Sequence, residues 1–186
     1  FLKKRSVREV AERRAGLVEA IRSKGLQPRF INGGGTGSID STCAEDAVTE
    51  VTVGSAFYAS ALFDRYKDFR YSPAAGFAIE IVRQPRPDLY TCLGGGYVAS
   101  GIADVSRLPA PWLPHGAELL PTEGAGEVQT PISYQGPEKL TLGDPIFLRH
   151  SKAGELCERF THLIEVSDGK VVDQVTTYRG DGKCFL

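Results

Sequence analysis

The chain has 186 residues, of which 41% are hydrophobic and 24% charged, as in an ordinary globular protein. Its 22 lysines and arginines nearly balance its 23 aspartates and glutamates, so the net charge of -1 gives no electrostatic reason to expect nucleic acid or a membrane as partner. No apolar run reaches the roughly 18 residues that cross a bilayer, and the first residues lack the apolar centre of a secretory signal, so we expect a cytoplasmic protein.

The first predicted element is an amphipathic helix within residues 6–25. Valine, alanine and isoleucine recur there at helical spacing, while arginine and glutamate fill the other positions. Ser6 and Glu9 have the spacing of a capping box at its start, and Gly25 stands where a left-handed C-terminal cap is expected. Because acidic and basic residues alternate, the pattern favours a solvent-facing helix over a nucleic-acid-binding arm.

A glycine-rich loop follows the next element, a short strand that ends near Asn32. The loop consists of Gly33, Gly34, Gly35, Thr36, Gly37 and Ser38. A second predicted strand, in residues 48–53, ends in another pair of small residues, Gly54 and Ser55. Strands that alternate with helical segments indicate α/β organisation, in which both small-residue ends reach the same edge of a sheet.

These small residues are suited to an anion. Glycine lets backbone N–H groups converge on a phosphate and lets the phosphate come close. The loop lacks the Lys-Ser/Thr ending of a nucleotide-binding P-loop and the spacing of a dinucleotide fingerprint, which argues against ATP and NAD. The phosphate of a small cofactor fits better, and a glycine-rich turn without a ligand remains the alternative.

The sequence pattern changes near residue 73. Residues 57–69 are rich in aromatic side chains and are predicted to be helical. Beyond residue 73, short β-type runs are punctuated by Gly, Pro and Asp-Gly, which is typical of an antiparallel β-domain. Asp168 and Gly169 lie between two alternating runs and predict a hairpin turn.

Six segments in chain order carry a resemblance to a known family: INGGGTGSI, TEVTVGSAFY, LGGGYVASG, EGAGEVQTP, RHSKAGELCERFTHL and TYRG. Together they resemble the C-terminal half of the fold-type III pyridoxal-phosphate enzymes, in the branch of D-threonine aldolase and D-serine dehydratase. The resemblance implies an α/β plus β fold. Residues 1–73 would be the C-terminal end of an alanine-racemase-like (β/α) barrel, and residues 74–186 a mostly antiparallel β-domain.

The resemblance also implies a cofactor and a function. Pyridoxal 5'-phosphate would be held by its phosphate at residues 33–38 and 54–55. The function would be that of a lyase that cleaves or dehydrates a D- or β-hydroxy amino acid, its small-molecule substrate, in a homodimer of the full-length protein. The alternatives are a non-catalytic protein that binds the cofactor or phosphate, and a β-domain that serves as an interaction module.

No residue of this chain takes the catalytic role that the family assigns to a lysine. That lysine forms the Schiff base with the cofactor and lies on the first barrel strand, and no lysine here matches its position. The catalytic residue therefore stays unknown. We expect this chain to be the C-terminal segment of a longer enzyme, inactive by itself.

The family's metal-binding pattern is also altered. In the relatives, a histidine followed by a cysteine or aspartate binds a divalent ion in the β-domain, but an ungapped register places these positions on Lys152 and Gly154. Neither is a metal ligand, so a metal is not expected there. His150 and Cys157 remain as candidate ligands, although an ordinary polar strand end would also explain them. Lys152 and Arg179 could each hold a substrate carboxylate.

Overall fold

The computed structural model describes residues 2–102 and 104–183. By its contacts the chain forms two compact units, Phe1–Phe57 and Tyr58–Leu186. The boundary predicted near residue 73 refers to domains of a longer enzyme and stays a prediction. Among the residues described, no helix combines the length and the apolar character of a membrane span.

The first unit begins with the long helix α1, Leu2–Ser23. It starts earlier than predicted, because the residues before Ser6 are themselves good helix formers. Ser6 therefore lies inside the helix, and the prediction of a capping box there is wrong. The prediction at the other end is confirmed, since Gly25 has a φ of +79° and its N–H donates to the Arg22 carbonyl at 2.9 Å.

The rest of the first unit is a small parallel sheet with one short helix. Strand β1 (Asn32–Gly33) pairs in parallel with β2 (Glu50–Val51), and helix α2 (Ile39–Cys43) lies between them in the chain. A 3₁₀ turn at Thr36–Ser38 leads from β1 into α2. The predicted α/β organisation is confirmed, whereas the assignment of residues 1–73 to the C-terminal end of an alanine-racemase-like barrel stays a prediction.

The helix predicted for residues 57–69 forms only in part. Helix α3 (Ser55–Tyr58) is a single turn, Ala59 takes a positive φ of 51°, and a 3₁₀ turn follows at Ala61–Arg65. Four aromatic rings pack in a row, with successive centroids 5.4, 5.2 and 4.8 Å apart: Phe63, Tyr66, Phe69 and Tyr71. Contacts between these rings, and not a helical face, therefore organise this segment.

The second unit is built on a six-stranded antiparallel sheet. Its strands are β3 (Phe77–Arg86), β4 (Leu89–Leu93), β5 (Ala110–Leu113), β6 (Glu118–Leu119), β7 (Gln129–Ser133) and β8 (Pro145–Arg149). Their order in the sheet is β5-β8-β3-β4-β7-β6. The edge strands β5 and β6 approach each other, so the sheet curls into a nearly closed barrel. This confirms the predicted antiparallel β-domain.

The sheet encloses an apolar core and carries a helix and a hairpin after β8. Fully buried side chains alternate along the strands, as the pleat requires: Ile81, Cys92, Ile132, Ile146 and Leu148. Helix α4 (Ala153–Arg159) and the hairpin of β9 (His162–Ser167) and β10 (Lys170–Thr176) follow. Asp168 and Gly169 both have positive φ in the turn, so the predicted hairpin is confirmed.

Candidate functional site

The predicted phosphate-binding residues follow two neighbouring parallel strands. The loop of residues 33–38 continues from β1, and residues 54–55 lie shortly after β2. The two strands are hydrogen-bonded to each other, with the Thr52 N–H donating to the Gly33 carbonyl at 2.9 Å. Because the strands are parallel, their carboxyl ends lie at one edge. The sequence predicted this pairing, while phosphate binding itself stays a prediction.

Three of the six N–H groups of the glycine loop have no acceptor in the described residues. The N–H of Ser38 donates to the Gly35 carbonyl at 2.9 Å. Within the described part of the chain, the N–H groups of Gly35, Thr36 and Gly37 donate to no other group. The Thr42 hydroxyl adds a polar group, since it donates to the Ser38 hydroxyl at 3.3 Å. Amide and hydroxyl donors of this kind suit phosphate oxygens, so the residues present fit the predicted cofactor phosphate.

Gly34 is required by the fold of the loop. Its φ of +101° is one that residues with a side chain rarely adopt. A Cβ at this position would also lie only 2.9 Å from Cγ1 of Val51. The contact with β2 therefore leaves room for backbone alone at Gly34.

An ion pair beside the loop was missed by the sequence analysis. Arg14 of α1 pairs through Nη1 with Glu45, which follows α2, and their side chains are 23% and 9% exposed. Cζ of Arg14 lies 3.3 Å from the position that a Cβ on Gly33 would take. Position 14 lies on the same helical face as Val7 and Val18. An arginine on that apolar face was the feature of the sequence that could have indicated a buried ion pair.

The predicted substrate residues of the second unit already have partners in the chain. The Lys152 ammonium donates to the carbonyl of Ser100 at 2.8 Å and to its hydroxyl at 3.0 Å. Ser100 in turn donates its N–H to Oε1 of Glu155 at 2.5 Å. Arg179 donates through Nε to the Glu158 carbonyl at 2.7 Å and is exposed. Lys152 and Glu155 thus fix Ser100 at the beginning of α4.

The two candidate metal ligands contact the same tyrosine. The ring of His150 packs edge-on against Tyr58, with centroids 5.9 Å apart, and Sγ of Cys157 lies 3.7 Å from the Tyr58 hydroxyl. That hydrogen bond, together with burial, raises the pKa of Tyr58. Throughout residues 2–102 and 104–183, no three His, Cys, Asp or Glu side chains are grouped to hold a metal ion. The described structure therefore offers His150 and Cys157 no third ligand.

His150 and Glu155 each bury polar atoms that have no partner in the described residues. These atoms are both ring nitrogens of His150 and Oε2 of Glu155. The two side chains line one cavity of about 10 Å³, close to the volume that a single water molecule needs. Burial lowers the pKa of His150 to about 4, the charge of Arg149 acts in the same direction, and Glu155 opposes it. His150 is therefore neutral near neutral pH.

The buried histidine predicts a pH dependence of stability. The His150 pKa is 6.5 when unfolded and about 4 when folded, so the unfolded state binds more protons between these values. We expect the free energy of unfolding to fall as the pH drops from about 6.5 towards about 4, and His150→Gln to weaken this dependence. Denaturant unfolding, followed by the fluorescence of the single tryptophan Trp112, would measure it.

A matched control separates this effect from the titration of carboxylates. His115 is exposed, so His115→Gln is expected to keep the pH dependence of the wild type. Carboxylates are common to all three proteins and cancel in the comparison. Equal pH profiles for wild type and His150→Gln would show that this histidine is protonated equally in the folded and unfolded states.

The geometry first defines a class of protein. A parallel strand pair ending in small residues, followed by a curled antiparallel sheet, gives an α/β plus β chain with an anion-suited loop in the first unit. No family model and no curated protein matches the sequence.

The solved structures give a closer assignment at the level of fold. The chain is similar to D-threonine aldolase from Filomicrobium marinum, with a TM-score of 0.80 and 19% identity over 94% of this chain and 48% of that chain. A variant of D-threo-3-hydroxyaspartate dehydratase in its metal-free form gives a TM-score of 0.64 and 18% identity over 93% and 51% of the two chains. The dehydratase from Delftia sp. HT23 gives 0.57 and 19% over 91% and 51%.

These likenesses confirm the predicted resemblance in fold. The chain spans about half the length of the solved enzymes that it matches. Its architecture is that of the part of these enzymes which it matches. At 18 to 19% identity, the reaction and the site residues do not follow from the fold and are proposed below.

Proposed function

We propose that this chain is the C-terminal part of a pyridoxal-phosphate-dependent lyase that acts on D- or β-hydroxy amino acids. The observation that carries the proposal is the fold shared over nearly the whole chain with two enzymes whose names specify D-threonine and D-threo-3-hydroxyaspartate. Both compounds are D-amino acids with a hydroxyl on Cβ. Residues 1–73 would complete a barrel, and residues 74–186 would form its β-domain.

The first unit would anchor the cofactor. The N–H groups of residues 35–37, the hydroxyl of Ser38 and the small residues Gly54 and Ser55 would hold the phosphate at the edge of β1 and β2. When bound, pyridoxal phosphate supplies an electron sink for a substrate bond at Cα. The role of this chain is to fix the position of the cofactor, which lowers the entropic cost of the reaction.

The second unit would contact the substrate. Lys152 places an ammonium beside the Ser100 hydroxyl, and we propose that this cation holds a substrate carboxylate or hydroxyl in place of a divalent ion. Arg179 uses Nε for the chain, which leaves the outer nitrogens of its guanidinium for a carboxylate. We further propose a cytoplasmic homodimer for the full-length protein.

Product analysis tests this function. The full-length protein, loaded with pyridoxal phosphate, would be incubated with D-threonine, with D-threo-3-hydroxyaspartate and with their L-enantiomers as controls. Aldol cleavage would release glycine and an aldehyde, and dehydration would release ammonia and a keto acid. We expect one of these product pairs from the D-substrates only.

The alternatives give different outcomes. Cofactor binding without any product would contradict the lyase and support the non-catalytic binding protein. Failure to bind either the cofactor or phosphate would support the interaction module.

A further inference from the structure

We propose that Arg14 is a further anion-binding residue of the glycine-loop site, and that Glu45 sets how much of its positive charge reaches the bound phosphate. The inference rests on the proposed function, because it concerns the phosphate that residues 33–38 would hold. It adds a residue from α1 to a site that the sequence analysis had confined to two loops.

Arg14 lies in a groove that includes part of the loop. The groove has a volume of about 220 Å³ and is lined by Arg14, Gly34, Ser38, Thr42 and Glu45, among others of the first unit. Its polar lining combines the ion pair of Arg14 and Glu45 with hydroxyl groups and with Gly34 of the loop. That combination of donors recognises a phosphate monoester.

The guanidinium has donors left for an anion. Arginine carries five N–H donors, and the contact described for Arg14 joins Nη1 to Glu45. Arg14 has no nitrogen among the buried unpartnered atoms of residues 2–102 and 104–183, so its other donors reach solvent. The same ion pair that orients the side chain therefore leaves it able to bind a second acceptor.

Glu45 makes the expected effects of two substitutions on phosphate affinity opposite in direction. Its side chain is 9% exposed and its carboxylate offsets the charge of Arg14, so a phosphate in the groove meets a neutral pair. Removing the charge at Glu45 would leave a net positive site, whereas removing the charge at Arg14 would leave a negative one. The two substitutions should change phosphate affinity in opposite directions. If the ion pair served only to hold α1 against the segment after α2, both substitutions would change phosphate affinity in the same direction.

The test measures dissociation constants by calorimetry for pyridoxal phosphate and for inorganic phosphate. We expect Arg14→Gln to weaken binding about tenfold, since a hydrogen bond to a charged group is lost. Glu45→Gln is expected to strengthen it about threefold, because repulsion is removed while the amide can still contact Arg14. The double variant should bind more weakly than the wild type, because the arginine donors are lost, but more tightly than Arg14→Gln, because the Glu45 repulsion is removed as well.

Arg13→Gln is the matched control. Arg13 is the neighbouring residue, is 78% exposed and pairs with Glu9 at 2.7 Å, so its loss should leave affinity unchanged. Phosphate binding by the wild type that persists unchanged in Arg14→Gln would overturn the inference and leave the proposed function standing. Equal weakening by Arg14→Gln and Glu45→Gln would overturn it too. Absence of binding by the wild type would instead overturn the proposed function, and this inference with it.

Discussion

Replacing Gly34 with alanine is expected to weaken the binding of pyridoxal phosphate about tenfold or more. A Cβ would meet Cγ1 of Val51 at 2.9 Å, in a conformation with φ of +101° that disfavours side chains. The loop would have to move away from β2, and the N–H groups of residues 35–37 would no longer point as they do. Equilibrium dialysis with the cofactor would measure the loss.

Gly16→Ala is the control for this substitution. Gly16 lies within α1, and a Cβ there would have no atom within 4 Å. We expect unchanged affinity and a stability gain of about 0.5 to 1 kcal/mol, because alanine favours helix over glycine. If Gly34→Ala lowers the thermal stability but binds pyridoxal phosphate with the affinity of the wild type, the loop contributes to the fold and not to cofactor binding.

Asp64→Asn is expected to destabilise the second unit by about 2 kcal/mol. The buried Arg149 donates to both carboxylate oxygens of Asp64, at 2.5 and 3.0 Å, and also to the Ala59 carbonyl at 2.5 Å. Loss of the carboxylate charge leaves the guanidinium buried without a counter-charge. The cost stays near 2 kcal/mol because the Asp64 side chain is 49% exposed, so water can partly replace it.

The ion pair of Arg86 and Asp88 provides the comparison. Its nitrogen and oxygen are 2.8 Å apart, but the side chains are 63% and 35% exposed. Asp88→Asn is therefore expected to cost less than about 1 kcal/mol. Denaturant unfolding monitored at Trp112 would report on both variants. Equal losses would mean that burial of Arg149 contributes nothing to the strength of its ion pair.

The local elements of this fold could be predicted from the sequence. Alternating valines before Gly54 and the glycines after Asn32 predicted two strands with small-residue ends, because strand period and backbone freedom are properties of short segments. Asp168-Gly169 predicted its hairpin for the same reason. The helix predicted for residues 57–69 forms only in part, since the aromatic side chains of this segment pack on one another instead of forming a helical face.

The candidate site was harder to predict where it depends on distant residues. Arg14 and Glu45 are 31 positions apart, and their pairing follows from the packing of the first unit. Lys152 was identified from register alone, whereas its contacts with Ser100 depend on a loop 52 positions away. Long-range contacts of this kind leave no periodic signal in the sequence, so the structure was needed to find them.

Comparing pyridoxal phosphate with pyridoxal tests the central claim most directly, because the two molecules differ only in the phosphate. Dissociation constants would be measured by calorimetry, with inorganic phosphate as a competitor. The account predicts much tighter binding of pyridoxal phosphate, and displacement of it by phosphate. Equal affinity for both molecules, with no competition by phosphate, would contradict the assignment of the glycine loop as a phosphate site.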